Sequence, residues 1–266
     1  MEKIKLALAT IVINEQQFIL KNLCQHYKWK NADVKQWIII EGVDPDYPTG
    51  NITPYGLSTD NTEKSIKAFN DYDDKITYIQ KGFADKRTLR NEYLKYIRDD
   101  ISYLISIDAD EFYPQSQQEK ITNFLELNPQ MYSVLTDIRN LWHDYDKEII
   151  GSYFRVPHLK IFKWQNGCSY LNNHIQLVKG RLNYNVRSKK TLAKCDAYMV
   201  HFGFARRQKE YSDKIQYYIN RGEKTTRPRY VECRNAWYGW KPNMPMPYDL
   251  KVIKYDGELP EVFLEL

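Results

Sequence analysis

The chain has 266 residues, 42% hydrophobic and 27% charged, with a net charge of +5. That is enough chain for a substantial core in one large domain, or in one domain with an elaborated end. It excludes disordered and fibrous classes, and no apolar run approaches the roughly 20 residues of a membrane span.

The segment Met1–Leu8 runs straight into a strand-like stretch without a signal-peptide layout. Cys24, Cys168, Cys195 and Cys233 are scattered, with no Cys-x-x-Cys spacing for zinc. They fit buried thiols in a reducing compartment, so a cytoplasmic protein is expected. Charge is divided unevenly: residues 1–150 carry a net −6 and residues 151–266 a net +11. The second half, rich in Lys, Arg and aromatics, admits polyanion binding, although a solvated lysine-rich face is the commoner origin of such a pattern.

The first half alternates strand and helix signals. Ile4–Ile13 is apolar and β-branched, which predicts a strand, and Asn14-Glu15 interrupts it. Gln16–Tyr27 has helical apolar spacing. Trp37–Ile40 predicts a second buried strand, followed by Glu41 and Asp44 and a Pro/Gly/Thr-rich loop over Pro45–Leu57. Ser58-Thr59-Asp60-Asn61-Thr62 caps a helix reaching Phe69, Ile76–Ile79 predicts a third strand, and Thr88–Arg98 predicts a helix. The run Ile101–Ile107 then delivers Asp108-Ala109-Asp110 to a strand end, where ligands of open α/β sheets gather. Residues two apart on extended chain point the same way, so both carboxylates are expected to face one hard cation, Mn²⁺ or Mg²⁺.

Beyond this point the pattern changes. Gln117–Leu127 predicts a helix; Ser133–Thr136, Tyr153–Val156, Lys160–Trp164 and Leu177–Lys179 predict short strands. His201–Arg221 predicts a helix after its first few residues, and the proline-rich stretch from Thr225 predicts an irregular wrap. No Gly-x-Gly-x-x-Gly or Walker-type loop is present, which disfavours dinucleotide binding and P-loop hydrolysis. An acidic metal pair beside Lys86, Arg87 and Arg90 is what a nucleoside diphosphate requires.

The order Thr10–Glu15, Ile38–Glu41, Ser58–Thr62, Arg90–Leu94 and Ile107–Glu111 resembles the family 2 glycosyltransferases of the GT-A fold. The resemblance is good over residues 4–113 and fainter to about 215. It implies a GT-A-like, Rossmann-related α/β fold: a mostly parallel central sheet flanked by helices, with an irregular basic C-terminal extension. It divides the chain into a catalytic domain at 1–215 (nucleotide-sugar half 1–113, acceptor half 114–215) and an extension at 216–266 wrapping it.

The implied activity is a metal-dependent, inverting hexosyl- or pentosyltransferase that uses a nucleotide-sugar, a UDP-sugar first. Its donor contacts would be Asn14, Glu15, Glu41 or Asp44, Lys86, Arg87, Arg90 and Asp108. Its metal ligands would be Asp108, Asp110 and His201, the last from Val200–Phe204, which resembles a His-Tyr-Gly pattern of the family. Related enzymes carry a His-Glu pair where this chain has His174-Ile175, so the base falls to His174, Asp137 or Asp144.

The acceptor is expected to be a bacterial surface glycan or a hydroxymethylated pyrimidine in phage DNA. For DNA, Arg181, Arg187, Lys189, Lys190, Arg206 and Arg207 would contact phosphates, with Trp237, Tyr238 and Trp240 as a stacking platform or simply core packing. A metal-dependent phosphohydrolase or nucleotidyltransferase, and a non-catalytic domain of the same fold, are the alternatives.

Overall fold

The computed structural model describes residues 3–47, 49–70, 74–151, 154–172, 177–180, 182–183, 191–221, 227–241, 246 and 249–264. In chain order the elements are β1 (Lys5–Val12), α1 (Ile19–His26), β2 (Asp33–Val43), α2 (Thr62–Asn70), β3 (Ile76–Phe83), α3 (Lys86–Leu94), β4 (Tyr103–Ser106) and β5 (Glu111–Phe112). There follow α4 (Gln115–Leu127), β6 (Ser133–Trp142), β7 (Asp144–Ile150), β8 (His158–Lys163), β9 (Ser169–Tyr170), β10 (Leu177–Lys179) and β11 (Leu182–Asn183). The last are β12 (Leu192–Phe204), α5 (Gln208–Arg221), α6 (Arg227–Gly239) and β13 (Lys251–Lys254).

The main sheet runs β13-β7-β6-β8-β4-β1-β2-β3, with β12 against β6 and β5. The run β3-β2-β1-β4 is parallel. Its inner strands read as continuous apolar sequence because helices cover both faces: Leu6–Ala9 and Trp37–Ile40 are all at most 1% exposed. β8 then joins β4 antiparallel, and β6 joins β8 antiparallel. The longest ladders are parallel, so this is a mixed, mostly parallel GT-A-like sheet flanked by helices. Its core lies on the two faces of the β1-centred sheet, with further clusters around Trp142, Tyr211 and Trp237 and around Phe18, Phe112 and Phe202.

Several expectations need correcting. Phe154–Val156 is not a strand; Phe154 N–H donates to the Gly151 carbonyl at 3.0 Å, which closes a turn. Leu177–Lys179 is a strand, but it belongs to a separate three-stranded sheet with β9 and β11. The 13-residue β12 carries His201 inside a strand. The C-terminal stretch is not irregular throughout: it forms α6, and β13 extends the main sheet beside β7. Tyr255 and Phe263 then pack into the Phe18–Phe202 cluster, and the Phe202 and Phe263 rings stack at 4.3 Å. Cys24 is exposed rather than buried.

Candidate active site

β1 ends in a sharp turn because Asn14 adopts φ 50°, a left-handed conformation that asparagine tolerates better than most residues. The polar stretch before α2 holds that turn in place. Asn14 N–H donates to Ser58 Oγ at 3.0 Å, Glu15 N–H to Thr62 Oγ1 at 2.7 Å and Gln16 N–H to Asp60 Oδ2 at 3.1 Å. The Asn14 amide also clasps the loop before α2: its Nδ2 donates to the Asn51 carbonyl, and its Oδ1 accepts from Thr59 N–H at 2.9 Å. Two sequence motifs that looked separate are thus one hydrogen-bonded unit.

A cavity open to solvent lies over the carboxyl ends of β1, β2 and β4. Its walls include Asn14, Glu15, Asp44, Tyr47, Lys86, Arg90, Asp108, Asp110, Arg206 and Tyr217. Of the expected donor contacts, Glu41 and Arg87 do not line it. Glu41 is buried beneath, accepting from Ser58 N–H at 2.8 Å, Gln80 Nε2 at 3.0 Å and the Tyr78 hydroxyl, which makes it a structural anchor. Asp44 is therefore the carboxylate that faces the cavity after β2. Arg87 is exposed on α3.

Asp108-Ala109-Asp110 is not extended. It forms a turn closed by Glu111 N–H onto the Asp108 carbonyl at 3.0 Å, so the two carboxylates take different partners. Asp108 meets Lys160 Nζ of β8 at 3.3 Å, and the same ammonium reaches Glu111 Oε2 at 2.8 Å. Burial alone would raise the Asp108 pKa, but Lys160, Lys86 and Arg90 override it and hold the carboxyl well below the ordinary carboxylate range. Burial dominates at Glu111, whose pKa is raised in spite of Lys160.

Asp110 Oδ2 lies 3.4 Å from His201 Nε2 and also accepts from Arg206 Nη2, which in turn reaches Glu15 Oε1 at 2.9 Å. The tautomer of His201 follows from its neighbours. Asn140 Nδ2 donates to the Phe154 carbonyl at 2.6 Å, so its Oδ1 is the atom 2.6 Å from His201 Nδ1. Nδ1 must then carry the proton, and Nε2 is the ring nitrogen that faces the Asp110 carboxylate. With Nδ1 held by an acceptor, the ring is oriented as metal-ligating histidines usually are, and a neutral imidazole here could share a cation with Asp110. Among the described residues no three His, Cys, Asp or Glu side chains converge closely enough to hold an ion alone. Asp110 and His201 would therefore supply two ligands and leave the rest to phosphate and water, the usual habit of Mg²⁺.

The expected bases fare differently. Asp137 pairs with Lys194 at 2.8 Å and Asp144 with Lys147 at 2.8 Å; neither lines the cavity. His174 lies outside the described residues, as do Arg181, Arg187, Lys189 and Lys190. Arg206 is 7% exposed and committed to Glu15 and Asp110, so it is not a surface phosphate contact; Arg207 is exposed. Trp237 is core, stacked on Tyr211 at 4.1 Å and on His143 at 4.3 Å.

Sequence reasoning missed Lys160, Asn140 and His158. The register shows why they belong here. β8 runs antiparallel to β4 with Ile105 opposite Ile161, and alternation puts Lys160 and His158 on one face at the carboxyl edge. Burial, with Lys160 and His201 nearby, pulls the His158 pKa down to about 4.

Fold and site together define a GT-A-like α/β protein with a strand-end cavity lined by charged side chains of both signs. Residues 56–177 match the family model described as glycosyl transferase family 2, which relates the chain to the family 2 glycosyltransferases. No curated protein matches the sequence. Among solved structures, S. aureus TarS has a TM-score of 0.47 at 11% identity over 90% of this chain; the chain covers 44% of that one. S. aureus TarS 1-349 in complex with UDP-GlcNAc has a TM-score of 0.47 at 10% identity, covering 88% of this chain and 72% of that one. Glucosyl-3-phosphoglycerate synthase from Mycobacterium tuberculosis, with Mn²⁺, UDP and phosphoglyceric acid, has a TM-score of 0.37 at 13% identity over 51% of this chain and 43% of that one.

Proposed function

We propose that the chain transfers a hexosyl or pentosyl group from a nucleotide-sugar, a UDP-sugar first, to an acceptor hydroxyl. The observation that carries this reading is the Asp110–His201 pair, with Nε2 of the imidazole 3.4 Å from the carboxylate. Asp110 lines a cavity whose walls also carry Asp44, Lys86, Arg90 and Arg206. The glycosyl transferase family 2 match over residues 56–177 supports the reaction class.

In this reading Asp44 accepts hydrogen bonds from the base or ribose, while Lys86, Arg90 and Arg206 hold the diphosphate through charge-assisted contacts. Mn²⁺ or Mg²⁺ held by Asp110 and His201 would neutralise charge on the departing diphosphate. The acceptor oxygen attacks the anomeric carbon, the bond from that carbon to the diphosphate oxygen breaks, and the acceptor proton passes to a protein base. Direct displacement of this kind inverts the anomeric centre. His158 suits the base role better than Asp137 or Asp144, because it is held neutral and stands on the Lys160 face of β8.

Residues 1–113 would form the nucleotide-sugar half, 114–215 the acceptor half, and 216–266 an extension covering it. A glycan hydroxyl is taken as the acceptor; of the cations expected to meet DNA, Arg206 faces inward.

The test is nucleotide release from a panel of UDP- and GDP-sugars with Mn²⁺, Mg²⁺ or chelator, comparing wild type with Asp110→Ala. Release that needs both metal and Asp110 is expected. A folded protein with neither release nor metal-dependent nucleotide binding would refute the reading.

A further inference from the structure

One segment spans the whole donor cavity. Arg206 stands at the Asp110 end, and α5 begins two residues later. Tyr217 lies nine residues into that helix, about 14 Å further on at 1.5 Å per residue, and it lines the same cavity. There it meets Tyr47, with ring centroids 5.3 Å apart at 42°.

Tyr47 comes from the loop between β2 and α2, where a turn fixes it: its N–H donates to the Asp44 carbonyl at 2.9 Å. That loop is fastened below by the Asn14 amide. It is also packed tightly against β3, because Gly82 has φ 72° and any Cβ there would come 2.3 Å from the Tyr55 carbonyl oxygen. Tyr217 is 5% exposed, so both partners are held rather than loose.

We infer that Tyr47 and Tyr217 form an aromatic clasp, closed jointly by the loop and α5, that stacks on the heterocyclic base of the donor. This rests on the nucleotide-sugar reading above. The placement is what base recognition requires: a carboxylate, Asp44, for the base or ribose polar edge, and two aromatic faces beside it. All three line the same cavity as the cations that would hold the diphosphate. Each face offers stacking that is insensitive to base identity, so the clasp sets the preference for a nucleotide over a bare diphosphate.

The experiment measures binding of UDP and of inorganic pyrophosphate, both with Mn²⁺, to wild type, Tyr47→Ala, Tyr217→Ala and Tyr217→Phe. Stacking worth about 1–3 kcal/mol per base by alanine substitution corresponds to a roughly 5- to 150-fold weakening of UDP binding in each alanine variant. Pyrophosphate affinity should stay within about twofold, and Tyr217→Phe should bind UDP like wild type. Tyr47→Ala, on a loop, keeps the test valid if Tyr217→Ala disturbs α5.

Alanine variants that bind UDP like wild type would overturn the clasp and leave the transferase reading intact. Equal losses for UDP and pyrophosphate would also overturn it, by showing general support of the cavity rather than base contact. Wild type that binds neither would refute the transferase reading itself.

Discussion

Lys160→Met removes the buried ammonium and keeps most of the side-chain volume. In the native protein Lys160 is 3% exposed and reaches Glu111, itself 4% exposed, at 2.8 Å and Asp108 at 3.3 Å. Removing one partner of such a buried pair costs about 3–5 kcal/mol, because the remaining charge is left uncompensated. Asp108, open to the cavity and still facing Lys86 and Arg90, stays ionised, so the penalty falls on Glu111. A loss of about 3 kcal/mol lowers the melting temperature of a chain this size by roughly 6–12 °C.

The pH dependence gives a second reading. Burial already raises the Glu111 pKa, and without Lys160 it rises further above its unfolded value. A carboxyl raised on folding favours the native state below its unfolded pKa and loses that favour as pH rises through its folded pKa. The gap between variant and wild type should therefore be widest near pH 8 and narrow towards pH 5. Urea or thermal unfolding at several pH values measures both quantities. A deficit below about 1 kcal/mol, or one that does not change with pH, would refute this account of the ion cluster.

Four further outcomes are expected. His26 is buried, donates from Nδ1 to the Asn22 carbonyl and accepts Tyr113 N–H at 2.9 Å, and burial lowers its pKa to about 3. The unfolded chain takes up that proton near pH 6.5, so stability falls as pH drops; about 2 kcal/mol should be lost between pH 7 and pH 5, and a His26→Asn variant should show a shallower slope in urea titrations. Asn140→Leu releases the His201 tautomer and should weaken Mn²⁺ binding about 10-fold or more, read by calorimetry. Thr62→Val strands the Glu15 N–H and should cost about 1–3 kcal/mol in thermal unfolding. Gly82→Ala combines a left-handed backbone with a clash at the Tyr55 carbonyl and should cost more than about 1 kcal/mol, checked by the same melts.

The parallel half of the sheet was legible because its strands are buried on both faces and so read as unbroken apolar runs. The Asp108-Ala109-Asp110 strand end and Asp44 were legible for the same reason: polar residues follow directly on those runs. Lys160 was not, because a lysine in Leu159-Lys160-Ile161 reads as the exposed position of an alternating strand. Only antiparallel pairing with β4 turns that position towards Asp108. Asn140 and His201 are 61 residues apart, and nothing local announces that parallel pairing of β12 with β6 makes them neighbours. Arg206 was visible as charge, but its direction was not, since the acids that draw it inward lie far earlier in the chain. β12 itself was obscured by the polar residues Lys194 and Asp196 on its exposed side.

The pairing of β12 has one more consequence. His201 is registered between Glu111 on β5 and Asn140 on β6, and the chain then passes through Arg206 into α5 without a long loop. Imidazole, guanidinium and tyrosine ring thus sit as marks on one covalent ruler whose zero is set by the sheet. Adding or deleting a single residue between 204 and 208 would leave the strand in place and turn the helix by about 100°. It would carry Tyr217 away from Tyr47 while His201 stayed beside Asp110. Spacing in this short stretch, more than the identity of the residues that fill it, keeps the two ends of the cavity in step.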